Sequence, residues 1–155
     1  MLSQDVLETG SKGSYVLLIR VAEAQIITVG RLGTIPFPSG DYAYIGSALN
    51  GAKARLERHL RKEKKIHWHI DYLLQRSDIR NVIVCQTEER VECSIVEALN
   101  RHFDVIQGFG SSDCRCPGHL FSAPQEMEQQ IMTTLDSLGL EPQMIDCRNP
   151  EVTHK

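Results

Sequence analysis

The chain has 155 residues, 41% of them hydrophobic and 24% charged, which suits one globular domain with enough interior to fold without covalent staples. No apolar run is long enough to span a bilayer, and five scattered cysteines argue against a disulfide framework. Met1 to Gly10 carry Asp5 and Glu8 and lack a signal-peptide core, so a cytoplasmic protein that does not enter membranes is expected.

Residues 1–12 read as a polar lead-in. Tyr15 to Val21 is an apolar, β-branched run that predicts a buried strand, and Gln25 to Val29 predicts a second, close enough to pair with the first as a hairpin. Gly30-Arg31-Leu32-Gly33 is turn chemistry, and Pro36 and Pro38 interrupt any ladder. A third strand is expected over 42–47. Gly51 precedes a helix over 52–62, with Leu56 and Leu60 as its apolar seam and Arg55, Arg58, His59 and Lys62 on other faces. A short helix follows over 68–76, then a strand from Val82 to Cys85 and a helix from Val91 to Phe103 with Ile95, Leu99 and Phe103 inward. Gly108 to Asp113 is a loop, His119 to Ser122 a short strand, and Gln125 to Leu138 an amphipathic helix closed by Gly139. Beyond Pro142 a weakly ordered tail is expected, which divides the chain into a lead-in at 1–12, a domain at 13–140 and a tail at 141–155.

The net charge of −3 speaks against a polyanion partner, but its distribution speaks for one. Lys53, Arg55, Arg58, Arg61, Lys62, Lys64 and Lys65 crowd one segment against Glu57 and Glu63 alone. Such a face can steer nucleic acid to one side of the molecule, or can be a solvated helix surface.

Gly13-Ser14-Tyr15, Tyr44-Ile45-Gly46, Arg55 and Glu92 together resemble the GIY-YIG nuclease superfamily. Tyr42 to Ala48, Arg58-His59-Leu60, His67 to Leu73, Glu92-Cys93 and Gly108 to Cys114 are similar, more narrowly, to a branch of it sometimes fused to endonuclease III-like repair proteins. The resemblance covers about residues 10–122. It implies an α+β fold in which a small mixed or antiparallel sheet, three core strands plus short additions, is flanked by helices. It implies one magnesium or manganese ion held by Glu92, whose remaining ligands would be waters and substrate phosphate. It implies metal-dependent endonucleolytic cleavage of a phosphodiester, with DNA as partner and DNA repair as setting. Tyr15 and Tyr44 would include the residue that activates water, Arg55 would clamp the phosphoryl oxygens, and His59, one turn on, would orient or transfer a proton. Lys53, Arg58, Arg61, Lys62, Lys64, Lys65, His67, His69, Ser111 and Ser112 would contact nucleic acid.

Two features depart from the family pattern. Ser14 replaces the isoleucine of the first motif, and Tyr15 and Tyr44 are far apart in sequence. A strand and proline-rich loop at 25–40 can absorb that length as an excursion beside the sheet. A phenol with an ordinary pKa near ~10 is a poor base at neutral pH, so a metal or arginine would have to lower it. A binding module on the same fold, without catalysis, is the rival reading. His67-Trp68-His69-Ile70-Asp71 has the His-x-His-x-Asp form of metallo-β-lactamase-like hydrolases, but Tyr72 stands where another histidine is needed. Trp68 and Ile70 are expected to pack, while His67, His69 and Asp71 line the cleft or bond backbone. Cys114, Cys116 and His119 could begin a zinc cluster, completed by Cys93, His102 or a histidine of 67–69. A tight loop bonded through Ser111, Ser112 and Asp113 is the favoured reading of that segment, and zinc the less favoured one.

Overall fold

The computed structural model describes residues 13–48, 52–61, 63–87, 89–111, 115–123 and 127–146. The central strand is β1 (Gly13–Val21), whose valine, leucine and isoleucine side chains are buried on both faces. That double burial explains the near-continuous apolar run in place of simple alternation. β1 is flanked by β4 (Gly40–Ala48) and β5 (Asp78–Gln86), both antiparallel to it. Three strands thus form the core of the sheet, and each overlaps a segment expected as a strand.

β2 (Gln25–Thr28) does not pair with β1 as expected. It pairs with β3 (Thr34–Phe37) as a separate two-stranded ribbon. Pro36 lies within β3 opposite Ile26, which a two-stranded ribbon tolerates because a proline nitrogen can face away from the ladder. Residues 25–37 are therefore an excursion beside the sheet, and β4 returns directly next to β1.

Short strands extend the sheet. β6 (Asp104–Val105) and β7 (Leu120–Ala123) lie beyond β4, and β8 (Gln143–Asp146) lies beyond β5. β8 corrects the expectation of a weakly ordered tail from Pro142: its backbone completes the edge of β5. All the ladders in the six-stranded sheet are antiparallel, so the sheet is not mixed.

Helices cover both faces, as the α+β expectation requires. α1 (Ala52–Leu60) and α2 (His69–Leu74) cover one, where Tyr15, Leu17, Ile19, Tyr42, Tyr44, Val82 and Val84 meet Leu56, Ile70, Leu73, Leu74, Phe37 and Phe109. α3 (Glu92–Leu99) and α4 (Glu128–Ser137) cover the other, where Val16, Leu18, Ala43, Ile45 and Ile83 meet Ile95, Val96, Leu99, Ile131 and Leu135. The period of two in β1 and β4 assigns each residue to its layer. α2 and α3 are shorter than the expected 68–76 and 91–103, and β5 is longer than 82–85. Among the described residues no helix is long and apolar enough to cross a membrane.

Candidate functional site

The register of β1 on β4 builds the site. Tyr15 stands opposite Gly46 and Leu17 opposite Tyr44, so the two tyrosines fall on one face as diagonal neighbours. Gly46 is required there: a Cβ would collide with Oη and Cζ of Tyr15 and lie 2.7 Å from its Cε1. The Tyr15 ring thus lies over the glycine and reaches His59 of α1. Tyr15 Oη is 2.6 Å from His59 Nε2, and Tyr44 meets the same imidazole edge-on with ring centroids 6.3 Å apart. The expectation that His59 sits away from the apolar seam of α1 is corrected: it is 2% exposed and packs inward beside Leu56.

Burial sets the protonation of this cluster. It pushes the Tyr15 phenol far up, with the nearby Tyr44 adding to the effect, and pushes Tyr44 up to about 12. The Arg55 charge pulls both phenols down but does not prevail, so the lowering that a tyrosinate base needs is not there. Burial also pushes His59 down to about 3, reinforced by the positive charge of Lys64. At neutral pH the cluster holds two phenols and a neutral imidazole. His59 Nδ1 has no hydrogen-bond partner among the described residues.

A charged layer roofs the cluster. Arg55 and Arg58, three apart on α1, both stack on Trp68, with guanidinium carbons 4.5 and 4.4 Å from the ring centroid. Arg58 grips Asp71 through both oxygens at 3.0 Å. Asp71 Oδ2 also accepts the amides of His67 and Trp68 at 2.8 and 2.9 Å, which holds the start of α2. Burial would raise the Asp71 pKa, but the bonds from Arg58, Trp68 and His67 outweigh it and hold the carboxyl below its usual range. Asp71 is therefore the fully buried carboxylate whose charge reaches both phenols and His59, and it is already committed to Arg58.

The glycine loop closes the other side. Phe109 is fully buried between Phe37, Tyr44 and His69. Gly108 and Gly110 turn the chain around it with φ of 77° and 73°. His69 Nδ1 accepts the Gly110 amide at 2.8 Å. A Cβ on Gly110 would lie 3.1 Å from Tyr44 Cε1, so this loop packs directly on the second tyrosine.

Of the expected catalytic residues, Tyr15, Tyr44, Arg55 and His59 come together. Glu92 bonds Ser14, the neighbour of Tyr15 in β1, rather than the cluster itself. It opens α3 and receives Ser14 Oγ at 3.5 Å, and Ser14 alternates with Tyr15 and points into the opposite layer. Glu92 hangs at the same end of the sheet, from its other face.

The expected nucleic-acid contacts divide. Arg61, Lys65 and His67 are exposed. Arg58 is tied to Asp71 and His69 holds the glycine loop, so both have internal partners. Lys64 donates to the carbonyls of Arg58, His59 and Arg61 at 3.2, 2.8 and 2.8 Å, capping the end of α1. Ser111 is half-buried. Lys53 lies on α1, its side chain outside the described set; Lys62, Ser112, Asp113 and Cys114 lie outside the described residues. The stacking plate Trp68 and the plug Phe109 were not expected as site residues. The Arg-x-x-Arg spacing on one helix face was the signal for the first, and paired glycines around an aromatic the signal for the second. A cavity of about 540 Å³, lined by Arg20, Asp41, Arg80, Asn81 and Glu128 among others, lies at the opposite end of β1 and contains none of the expected residues.

This chain belongs to the family described as domain of unknown function DUF123, whose model matches residues 14–140. No curated protein and no solved structure matches it.

Proposed function

We propose that the chain is a GIY-YIG-type phosphodiesterase, of the branch sometimes joined to endonuclease III-like repair proteins, and that it acts on DNA. The 2.6 Å contact of Tyr15 with a buried, neutral His59, beside Tyr44 and Arg55, carries this reading. A buried imidazole with one orphaned nitrogen costs about 1–3 kcal/mol. Packing alone would be better served there by an apolar ring, so the cost points to a chemical role.

Tyr44 is the substrate-facing phenol on this reading, at 9% exposure against 1% for Tyr15. It orients a water or a phosphoryl oxygen. Tyr15 donates its hydroxyl proton to His59 Nε2 and keeps its oxygen lone pairs for a hydrogen bond from the substrate side. Arg55, held over the Trp68 ring, offers a fixed positive fork to the charge that develops on phosphorus oxygens. An arriving phosphodiester brings negative charge, which raises the His59 pKa from its resting value. Substrate thus improves the proton acceptor as it binds.

A magnesium or manganese ion fits the donor chemistry of Glu92. The carboxylate is half-buried and its hydrogen bond from Ser14 is long at 3.5 Å, and such ions bind through one carboxylate plus water and phosphate. When bound, the ion supplies Lewis-acid charge to a phosphate oxygen.

The position of Glu92 in the opposite layer, and phenols pushed up rather than down, favour a second reading: a module that grips the DNA backbone without cutting it. One experiment separates the two. Supercoiled, branched and single-stranded DNA are incubated with the chain and magnesium or manganese. Nicking that drops about 10²–10³-fold in Tyr44→Phe and Arg55→Ala supports the enzyme. Equal nicking by wild type and both variants removes the site, and equal nicking by Glu92→Ala removes the metal anchor. Salt-sensitive binding with no cleavage establishes the second reading.

A further inference from the structure

A second constellation lies on the far face of the sheet from the phenols. Cys93 in the first turn of α3, Cys116 and His119 each place a donor atom within 4.8 Å of the others. The sulfurs of Cys93 and Cys116 are 2.7 Å apart, and neither is in a disulfide among the described residues. His119 Nδ1 bonds the Ile45 carbonyl at 3.1 Å. A carbonyl only accepts, so Nδ1 carries the proton and Nε2 the lone pair. Metal-bound histidines are held in this way, with the second ring N–H on a carbonyl that fixes tautomer and orientation.

We propose that Cys93, Cys116 and His119 bind a thiophilic divalent cation of the zinc class, which fastens α3 and the loop before β7 to strand β4. Two thiolates and an imidazole select zinc over magnesium. Among the described residues three protein donors meet, which leaves the fourth place of a tetrahedral ion to another ligand such as water. Each thiol loses its proton as its sulfur binds, so uptake releases protons and weakens in acid. A disulfide would engage two of the three donors and give the oriented histidine no part.

The role is structural. Cys93 follows Glu92 in α3, and Ile45 stands between Tyr44 and Gly46 in β4. The ion would therefore tie the helix that carries Glu92 to the strand that carries Tyr44. The proposal does not depend on the phosphodiesterase reading.

The test uses the full chain, reduced and stripped of metal, titrated with Co²⁺ as a spectroscopic stand-in. The expected result is intense visible bands of a tetrahedral ion with thiolate-to-cobalt charge transfer, saturating stoichiometrically and bleached by zinc. Cys93 is exposed, so Cys93→Ser keeps the fold, checked by circular dichroism. It should weaken cobalt binding by more than the ~10–100-fold typical of outer-shell changes. Cys116→Ser should do the same, which guards against a folding failure in buried His119→Ala. A pale octahedral spectrum, unchanged affinity in Cys93→Ser, or a Cys93–Cys116 disulfide that persists under reductant would overturn the proposal.

Discussion

Replacing His59 with glutamine should flatten the acid side of the stability curve. The imidazole is 2% exposed and its folded pKa is about 3, against an ordinary value near ~6.5 in the unfolded chain. Between those values the unfolded state binds a proton that the folded state refuses. Stability from this group is therefore complete above pH ~6.5 and is lost as pH falls toward the folded value. From pH 7 to pH 5 the loss works out at about 2 kcal/mol, from about 1.5 pH units at 1.36 kcal/mol each. Glutamine keeps an oxygen that can accept the Tyr15 hydroxyl but has no proton to gain. In urea titrations at the two pH values, wild type should lose about 2 kcal/mol more than His59→Gln. With a urea slope of about 2 kcal/mol per molar, that is a midpoint shift of about 1 M. Equal losses in the two proteins would refute the claim that His59 is held neutral by burial.

Other outcomes follow from the same geometry. Gly46→Ala places a methyl against Tyr15 Oη; Tyr15 is sealed in the core, so stability should fall by about 1–3 kcal/mol and the Tyr15–His59 hydrogen bond should vanish, read as loss of any slowly exchanging hydroxyl proton by NMR. Asp71→Ala strands Arg58 and two amides and should cost about 3 kcal/mol in chemical denaturation; a loss below the wild-type uncertainty would mean that the Arg58–Asp71 pair does not hold α2. The lowered pKa of Asp71 adds a pH dependence: its contribution is present above the usual carboxylate range and disappears only as pH falls through the lowered value, so Asp71→Asn should abolish the last, most acidic part of the unfolding curve. Phe109→Ala opens a cavity beside Tyr44 and should cost about 3–5 kcal/mol, with melting temperature as the measure.

Much of the scaffold was legible because strong local patterns need no partner to be read. The run Val16-Leu17-Leu18-Ile19 can only be a buried strand, and Leu56 with Leu60 marks a helix of the right length. The excursion at 25–37 was half legible: its prolines and glycines showed where strands break, but a four-residue strand carries no information about which neighbour it takes. β8 was missed because Gln143 to Asp146 is only four residues long, too short for a periodic pattern to show, and is stabilised by the edge of β5. Within the site, residue types announced Tyr15, Tyr44, Arg55 and His59. Their contacts also reassigned Arg58, Lys64 and His69 from surface duty to internal bonds, which no charge count reveals.

By itself the order of residues marked the longer strands and helices, though not the short β3, β6 and β8, and the side chains with the chemistry to meet a phosphate, because both depend on local periodicity and functional groups. Tertiary structure alone decided that Tyr15 lies over Gly46 and reaches His59, since strand register is a long-range choice made by side-chain alternation on two packed layers. It also decided that Glu92 falls on the other layer and that Cys93, Cys116 and His119 meet there. Cys93 and Cys116 are 23 residues apart along the chain, and only the packing of helix and loop on the sheet fixes who faces whom.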